Sequence, residues 1–259
     1  MTLQQRIDAL VTLGERLQSE TEIVNAAKQL AYIRNKWFTV ENSQKAIDHI
    51  VHAFLRRELL EDWAKAYNID KQAPKKVGLV MAGNIPLVGF HDFMSVFLAG
   101  HKAKIKLSEK DTVLMELMFK LLKSIDSDCE NYIEIVDRLT DFDAVVATGS
   151  NSTVRYFEVY FGKVPNIIRR NGTSVAVLTG KETKADLLAL GVDIFEYFGL
   201  GRRNVSKLYL PKGYDFNAMM EAFHSFKELV LHNKYKNNYD YSYTLLTMNK
   251  IPTLFGTCI

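Results

Sequence analysis

Apolar residues recur every three or four positions along the first third of the chain. Leu3, Ile7, Leu10, Leu13 and Leu17 mark one helix, and Ile23, Ala26, Ala27, Leu30 and Ile33 mark a second. A third is expected to start after Asn42 or Ser43, either of which can cap its free N–H groups, and to bury Ile47, Ile50, Val51, Phe54 and Leu55. Past Pro74 the period changes. Short apolar runs at 77–81, 101–107, 133–136, 144–147, 175–178 and 205–210 predict strands, and helical patterns at 88–98, 111–125, 152–160, 183–198 and 216–231 fall between them. In the second run Ala103, Ile105 and Leu107 face one way, and Lys104 and Lys106 the other. Thr183 and Asp186 have capping-box spacing, and Gly199-Leu200-Gly201 breaks that helix. The tail from Asn233 is polar and tyrosine-rich and closes on 255–259 without an obvious last element.

Strands alternating with long helices predict an α/β fold with right-handed crossovers and a mainly parallel, Rossmann-type sheet behind a helical N-terminus. Charge and cysteine content narrow the function classes. Lys and Arg number 33 against 30 Asp and Glu, a net +3 with no basic stripe, so no nucleic-acid partner is expected. The two cysteines, Cys129 and Cys258, give no disulfide framework and suit a reducing, cytoplasmic setting. No run reaches the roughly 18 apolar residues of a membrane span. No His, Cys or carboxylate cluster has metal-ligand spacing, so no metal is expected.

Three turns can carry chemistry. Thr148-Gly149-Ser150 joins a strand to a helix, whose N-terminus attracts anions; it is equally an ordinary strand-to-helix turn. Lys106 ends a strand where open α/β sheets bind ligands and could bond a ribose, or it is a solvated edge lysine with Ser108 and Asp111 as a common capping box. Asn84, in Gly83-Asn84-Ile85-Pro86, would expose its amide at a strand end, where it could donate to a developing oxyanion; the same residues also make a simple turn. Cys129, between Asp128 and Glu130, sits where negative charge suppresses a thiolate, and the adjacent His91 and Asp92 point to different helix faces.

In this order, Gly83-Asn84-Ile85-Pro86, Lys104-Ile105-Lys106-Leu107-Ser108-Glu109, Thr148-Gly149-Ser150 and Asn171-Gly172 resemble the aldehyde dehydrogenase superfamily, and most closely its acyl-CoA reductase branch, which contains the fatty-acid reductase of bacterial luminescence. The resemblance runs from about Gly78 to Leu210. It implies an aldehyde-dehydrogenase-like fold, with a helical segment and dinucleotide-binding domain over 1–178 and the beginning of a catalytic domain, incomplete and C-terminally truncated, over 179–259. Asn84 then matches the oxyanion asparagine. Lys106 and Glu109, with Ser108 between them, match the segment that meets the adenosine ribose. Thr148, Gly149 and Ser150 match the pyrophosphate turn. It further implies an acyl-CoA or acyl-thioester substrate and an assembly of identical chains.

Two departures qualify that picture. The dehydrogenases carry a Glu-Leu-Gly-Gly segment whose glutamate activates the deacylating water, whereas the matching Arg169-Arg170-Asn171-Gly172 has no carboxylate, which favours reduction over hydrolysis. In the reductases a cysteine nucleophile precedes Arg-Asn-Val-Ser; here Gly201 is followed by Arg202, then Arg203-Asn204-Val205-Ser206. Arginine cannot form a thioester, so the expectation divides between an acyl-CoA reductase of doubtful activity and a non-catalytic relative that binds nucleotide or a partner chain. Lys104, Lys106 and Lys110 favour NADPH as cofactor, and Glu109 leaves NADH open.

Overall fold

The computed structural model describes residues 1–67, 69 and 73–253, so Cys258 and the expected close at 255–259 lie outside the described residues. The chain groups into two compact units, Met1–Asn171 and Gly172–Ile259.

The first unit opens with four helices: α1 (Leu3–Ser19), α2 (Thr21–Arg34), α3 (Val40–Phe54) and α4 (Arg57–Lys65). Thr2 and Gln5 form a reciprocal capping box at the start of α1. Helix α3 is capped by Thr39, whose side chain accepts the Asn42 N–H at 3.1 Å. Asn42 and Ser43, the expected caps, are instead buried in its first turn. Helix α2 turns a different face inward than expected. Val24, Lys28 and Ala31 are buried, while Ile23, Leu30 and Ile33 are exposed. Lys28 fits that face because its aliphatic stem packs inside while its ammonium reaches Gln44.

Five strands follow: β1 (Lys76–Val80), β2 (Lys102–Lys106), β3 (Ile133–Ile135), β4 (Ala144–Thr148) and β5 (Asn166–Arg169). They form one parallel sheet in the order β3-β2-β1-β4-β5. Helices α5 (Phe90–Leu98), α6 (Val113–Ile125) and α7 (Asn151–Phe161) make the crossovers. Residues of alternate parity divide the sheet's faces. Leu79, Ile105 and Val146 join the large core built on Leu10, Leu13, Phe38, Ile47, Phe93 and Phe119. Val80, Val145 and Ala147 join a smaller cluster with Phe157 and Phe161 of α7. Both faces are therefore covered, as parallel sheets require. Strand β5 was not expected; it is short, follows Pro165 and exposes Ile167.

In the second unit β6 (Ser174–Val177) pairs in parallel with β7 (Val205–Tyr209), and α8 (Lys184–Phe195), α9 (Asn217–Phe223) and α10 (Asn233–Met248) complete it. Strand β6 thus groups with β7, whereas the sequence places it at the end of the first part. Thr183 and Asp186 do form the expected capping box at the start of α8. The expected 216–231 helix divides into α9 and a 3-10 segment, His224–Leu231. The tail holds a 16-residue helix where no element was expected; α10 buries none of its residues, so it has no apolar stripe to read.

Candidate functional site

The strand order places a topological switch between β1 and β4, because the chain runs outward from β1 through β2 and β3 and then returns to β4. Ligands of open α/β sheets bind at the carboxyl ends of strands beside such a point. Val80 pairs with Lys106 on one side and Ala147 on the other, so β1, β2 and β4 end flush, about 4.8 Å apart. The three motif-bearing turns leave the sheet from these ends.

After β4, Gly149 donates its N–H to the Arg169 carbonyl at 3.1 Å. A Cβ on Gly149 would come within 2.8 Å of the Phe157 ring, so the turn is kept close beneath α7 by the missing side chain. Ser150 is the N-cap of α7 and accepts the Thr153 N–H at 3.3 Å. Helix geometry leaves the Asn151 and Ser152 N–H groups without an intrahelical partner, which suits an anion.

At the end of β2, exposed Lys106 donates from Nζ to the Asp137 carbonyl at 2.7 Å. Glu109 and Lys110 are exposed on the following loop. Lys104 behaves differently from its neighbour. It is buried, within 3.6 Å of Glu134 and bonded to the Asp141 carbonyl at 3.3 Å, and so is already engaged within the fold rather than offered to a ligand phosphate. The Ser108–Asp111 capping box does not form. Helix α6 begins at Val113 with no side-chain cap. The Asp111 carboxylate instead accepts the Leu87 N–H, 2.6 Å away and 24 residues earlier.

That bond closes the turn after β1. Asn84 is partly buried there and has an interaction partner. Leu87, buried, adopts a left-handed backbone with φ of 57°. Gly83 lies so close to the β2 loop that a Cβ would sit 2.8 Å from Ser108 Cβ.

Beside this edge, Arg169 at the end of β5 grips Asp92 of α5 through two hydrogen bonds of 2.7 and 2.6 Å. Burial alone would raise the Asp92 carboxyl, but the bonds from His91 and Arg169 outweigh it and hold the group below the usual carboxylate range. Asp92 is therefore an ion-pair partner of Arg169. Cys129 is buried, and its thiol is pushed up to about 11, first by burial and then by Asp126 and Asp128.

The second unit holds Arg202. Its loop is fixed by Asn204, whose Oδ1 accepts the Gly201 N–H at 2.7 Å and whose Nδ2 donates to the carbonyls of Asp193 and Glu196 at 2.8 and 3.2 Å. Arg202 is half-buried against the start of β6, where a Cβ on Gly172 would lie 3.8 Å from Nη2. Its Nε is buried without a hydrogen-bond partner. Gly172 and the Arg202 loop are thus neighbours, consistent with the pairing of Ser174 with Val205. The bonds that Asp111 and Asp92 make had no local signal, since their partners are distant in sequence, and Asn204 reads simply as part of a motif. Among the described residues no three His, Cys, Asp or Glu side chains group as metal ligands, and no helix is long and apolar enough to cross a membrane.

Solved aldehyde dehydrogenases share this architecture. Aldehyde dehydrogenase 21 of Physcomitrella patens, in complex with the reaction product succinate, superposes with a TM-score of 0.70 at 14% identity over 88% of this chain and 52% of its own. The NAD+ complex of the Bacillus cereus aldehyde dehydrogenase gives 0.66 at 16% identity, over 88% and 50%. The substrate-bound AldH of Staphylococcus aureus gives 0.59 at 19% identity, over 98% and 63%. The chain spans about half the length of the first two. No protein-family profile and no curated protein matches it. The fold is aldehyde-dehydrogenase-like, an α/β arrangement around a parallel five-stranded sheet.

Proposed function

We propose that this chain belongs to the acyl-CoA (acyl-thioester) reductase type and keeps a nicotinamide dinucleotide site while Arg202 blocks acyl transfer. The observation that carries this reading is the convergence of the Asn84, Lys106 and Thr148-Gly149-Ser150 turns on one edge of a parallel sheet, around its switch point. The α7 N-terminus would hold the pyrophosphate, and Lys106, Ser108 and Glu109 the adenosine ribose. Lys106 and Lys110 favour NADPH over NADH; Lys104, already engaged in the fold, adds nothing to that preference. When bound, the dinucleotide supplies the hydride.

The remaining roles belong to the protein. In an intact reductase a thiolate at position 202 attacks the thioester carbonyl, and Asn84 stabilises the oxyanion as the CoA thiol leaves. Reduction of the acyl-enzyme by that hydride would release the aldehyde and return the thiolate. With Arg169 paired to Asp92 in place of a carboxylate base, no side chain at that position draws a proton from water, and hydrolysis of an acyl-enzyme is disfavoured. Arg202 has no lone pair to offer the carbonyl. Losing the covalent tether forfeits positioning worth up to roughly 7–11 kcal/mol. The second reading, a relative that binds nucleotide or a partner chain without turnover, is favoured by Arg202 itself.

The test is a calorimetric titration with NADPH and NADH, beside mass spectrometry after incubation with a fatty acyl-CoA. The chain should bind nucleotide, prefer NADPH and gain no acyl mass, whereas Arg202→Cys should gain it. Aldehyde formation by the unaltered chain would show the nucleophile to be elsewhere. Absence of nucleotide binding would overturn the reading.

A further inference from the structure

We infer that Asp111 is a positioning residue for Asn84, a clamp that fixes the turn after β1 against the loop after β2. The inference rests on the proposed function for what Asn84 does; the clamp itself stands on geometry. Asp111 is 3% exposed, and its Oδ2 accepts the Leu87 N–H at 2.6 Å while Oδ1 has no partner. Leu87 is itself buried and held at φ 57°, a conformation that leucine adopts only when its surroundings impose it. The Asp111 bond is one such constraint, anchored from outside the turn.

The loop carrying Asp111 is tied in turn. Its own N–H donates to the Ser108 carbonyl at 3.0 Å, and Lys110 N donates to Ser108 Oγ at 3.3 Å. Asn35, between α2 and α3, donates from Nδ2 to the Lys110 carbonyl at 3.2 Å. On the facing side Gly83 packs on Ser108 with no room for a side chain. A path of contacts thus joins the helical N-terminus, the loop proposed to meet the ribose and the turn that carries Asn84. Burial raises the Asp111 carboxyl to about 7, against the opposing pull of the single Leu87 N–H.

Two variants test the clamp. Asp111→Ala removes the acceptor, and Asp111→Asn keeps an oxygen in its place. In the chain as it stands, Leu87 amide exchange should quicken at least tenfold in the alanine variant and stay within about threefold of the parent in the asparagine variant. Unchanged exchange in Asp111→Ala would overturn the clamp. In an Arg202→Cys background, single-turnover acylation by a fatty acyl-CoA should slow by about 10-fold or more with Asp111→Ala, at an unchanged half-saturating concentration, and recover with Asp111→Asn. Equal rates in all three would show that the clamp does not serve Asn84. Absence of an acyl-enzyme even with Asp111 intact would overturn the proposed function and, with it, the link to acylation, while the exchange measurement still decides the clamp.

Discussion

The two units solve the same packing problem to different degrees. In Met1–Asn171 a five-stranded parallel sheet is covered on both faces, and Phe90, Phe93 and Phe97 of α5 are fully buried. Among the described residues of Gly172–Ile259 the sheet has two strands. Ala176 and Leu208 pack on a cluster centred on Leu187, Phe195, Met219 and Phe223, but Val175, Val177 and Tyr209 stay about half exposed or more. Parallel strands are ordinarily buried on both sides, and two strands alone are marginal. The three proposed binding turns sit on the well-buried unit, and Arg202, at the proposed nucleophile position, sits on the thinly packed one. A preformed crevice needs a rigid sheet beneath it. The Arg202 loop relies on local ties such as those of Asn204.

The sharpest way to break this comparison is to open each core in turn. Phe93→Ala should cost about 3–5 kcal/mol and abolish nucleotide binding with the first unit's fold. Phe223→Ala should unfold residues 172–253 while leaving binding intact, as seen by hydrogen exchange beside calorimetry. Loss of binding in both would mean that the units stand or fall together.

A second contrast lies in pH. The Asp111 carboxyl rises from 3.8 to about 7 on folding, so the folded protein holds that proton more tightly than the unfolded chain. The stability this contributes is complete below about pH 4. It falls by about 1.4 kcal/mol per pH unit on the way up and is gone above pH 7. Asp111→Asn should therefore gain about 3 kcal/mol relative to the parent between pH 5 and 8, measured by urea unfolding; a constant difference would contradict the buried carboxyl. The second unit runs the other way. Glu182 is lowered mainly by the Thr179 N–H, and Asp186 by the Thr183 hydroxyl, so their contribution is present at neutral pH and lost on acidification.

The smallest effect separates binding from folding. Lys106→Ala should weaken nucleotide affinity by about 1.5–3 kcal/mol, one charge-assisted hydrogen bond, with little change in the unfolding midpoint because the side chain is exposed. Unchanged affinity by calorimetry would remove Lys106 from the site.

The sheet was legible because its strands announce themselves by composition and its helices by period. Strands β1–β4, β6 and β7 fall where apolar runs predict them, while β5 follows a proline and faces solvent. Helix α2 misled because two stripes compete along it, and the inward one contains a lysine. The turns of the candidate site were legible as turns. What holds them was not. Asp111 has the spacing of a local cap, and only the folded chain shows its partner 24 residues away. The pair of Asp92 and Arg169 spans 77 residues and leaves no trace in either neighbourhood.

That pair also constrains the routes by which such a sequence can change. A carboxylate base at position 169 is one substitution away on paper, but Arg169→Glu would set two carboxylates against each other where Asp92 is 13% exposed and now stabilised by the arginine. The change becomes tolerable only after Asp92 has given up its charge, and Asp92→Asn alone strands a guanidinium. Each first step is disfavoured in isolation. The ion pair thus works as an epistatic lock on these two positions.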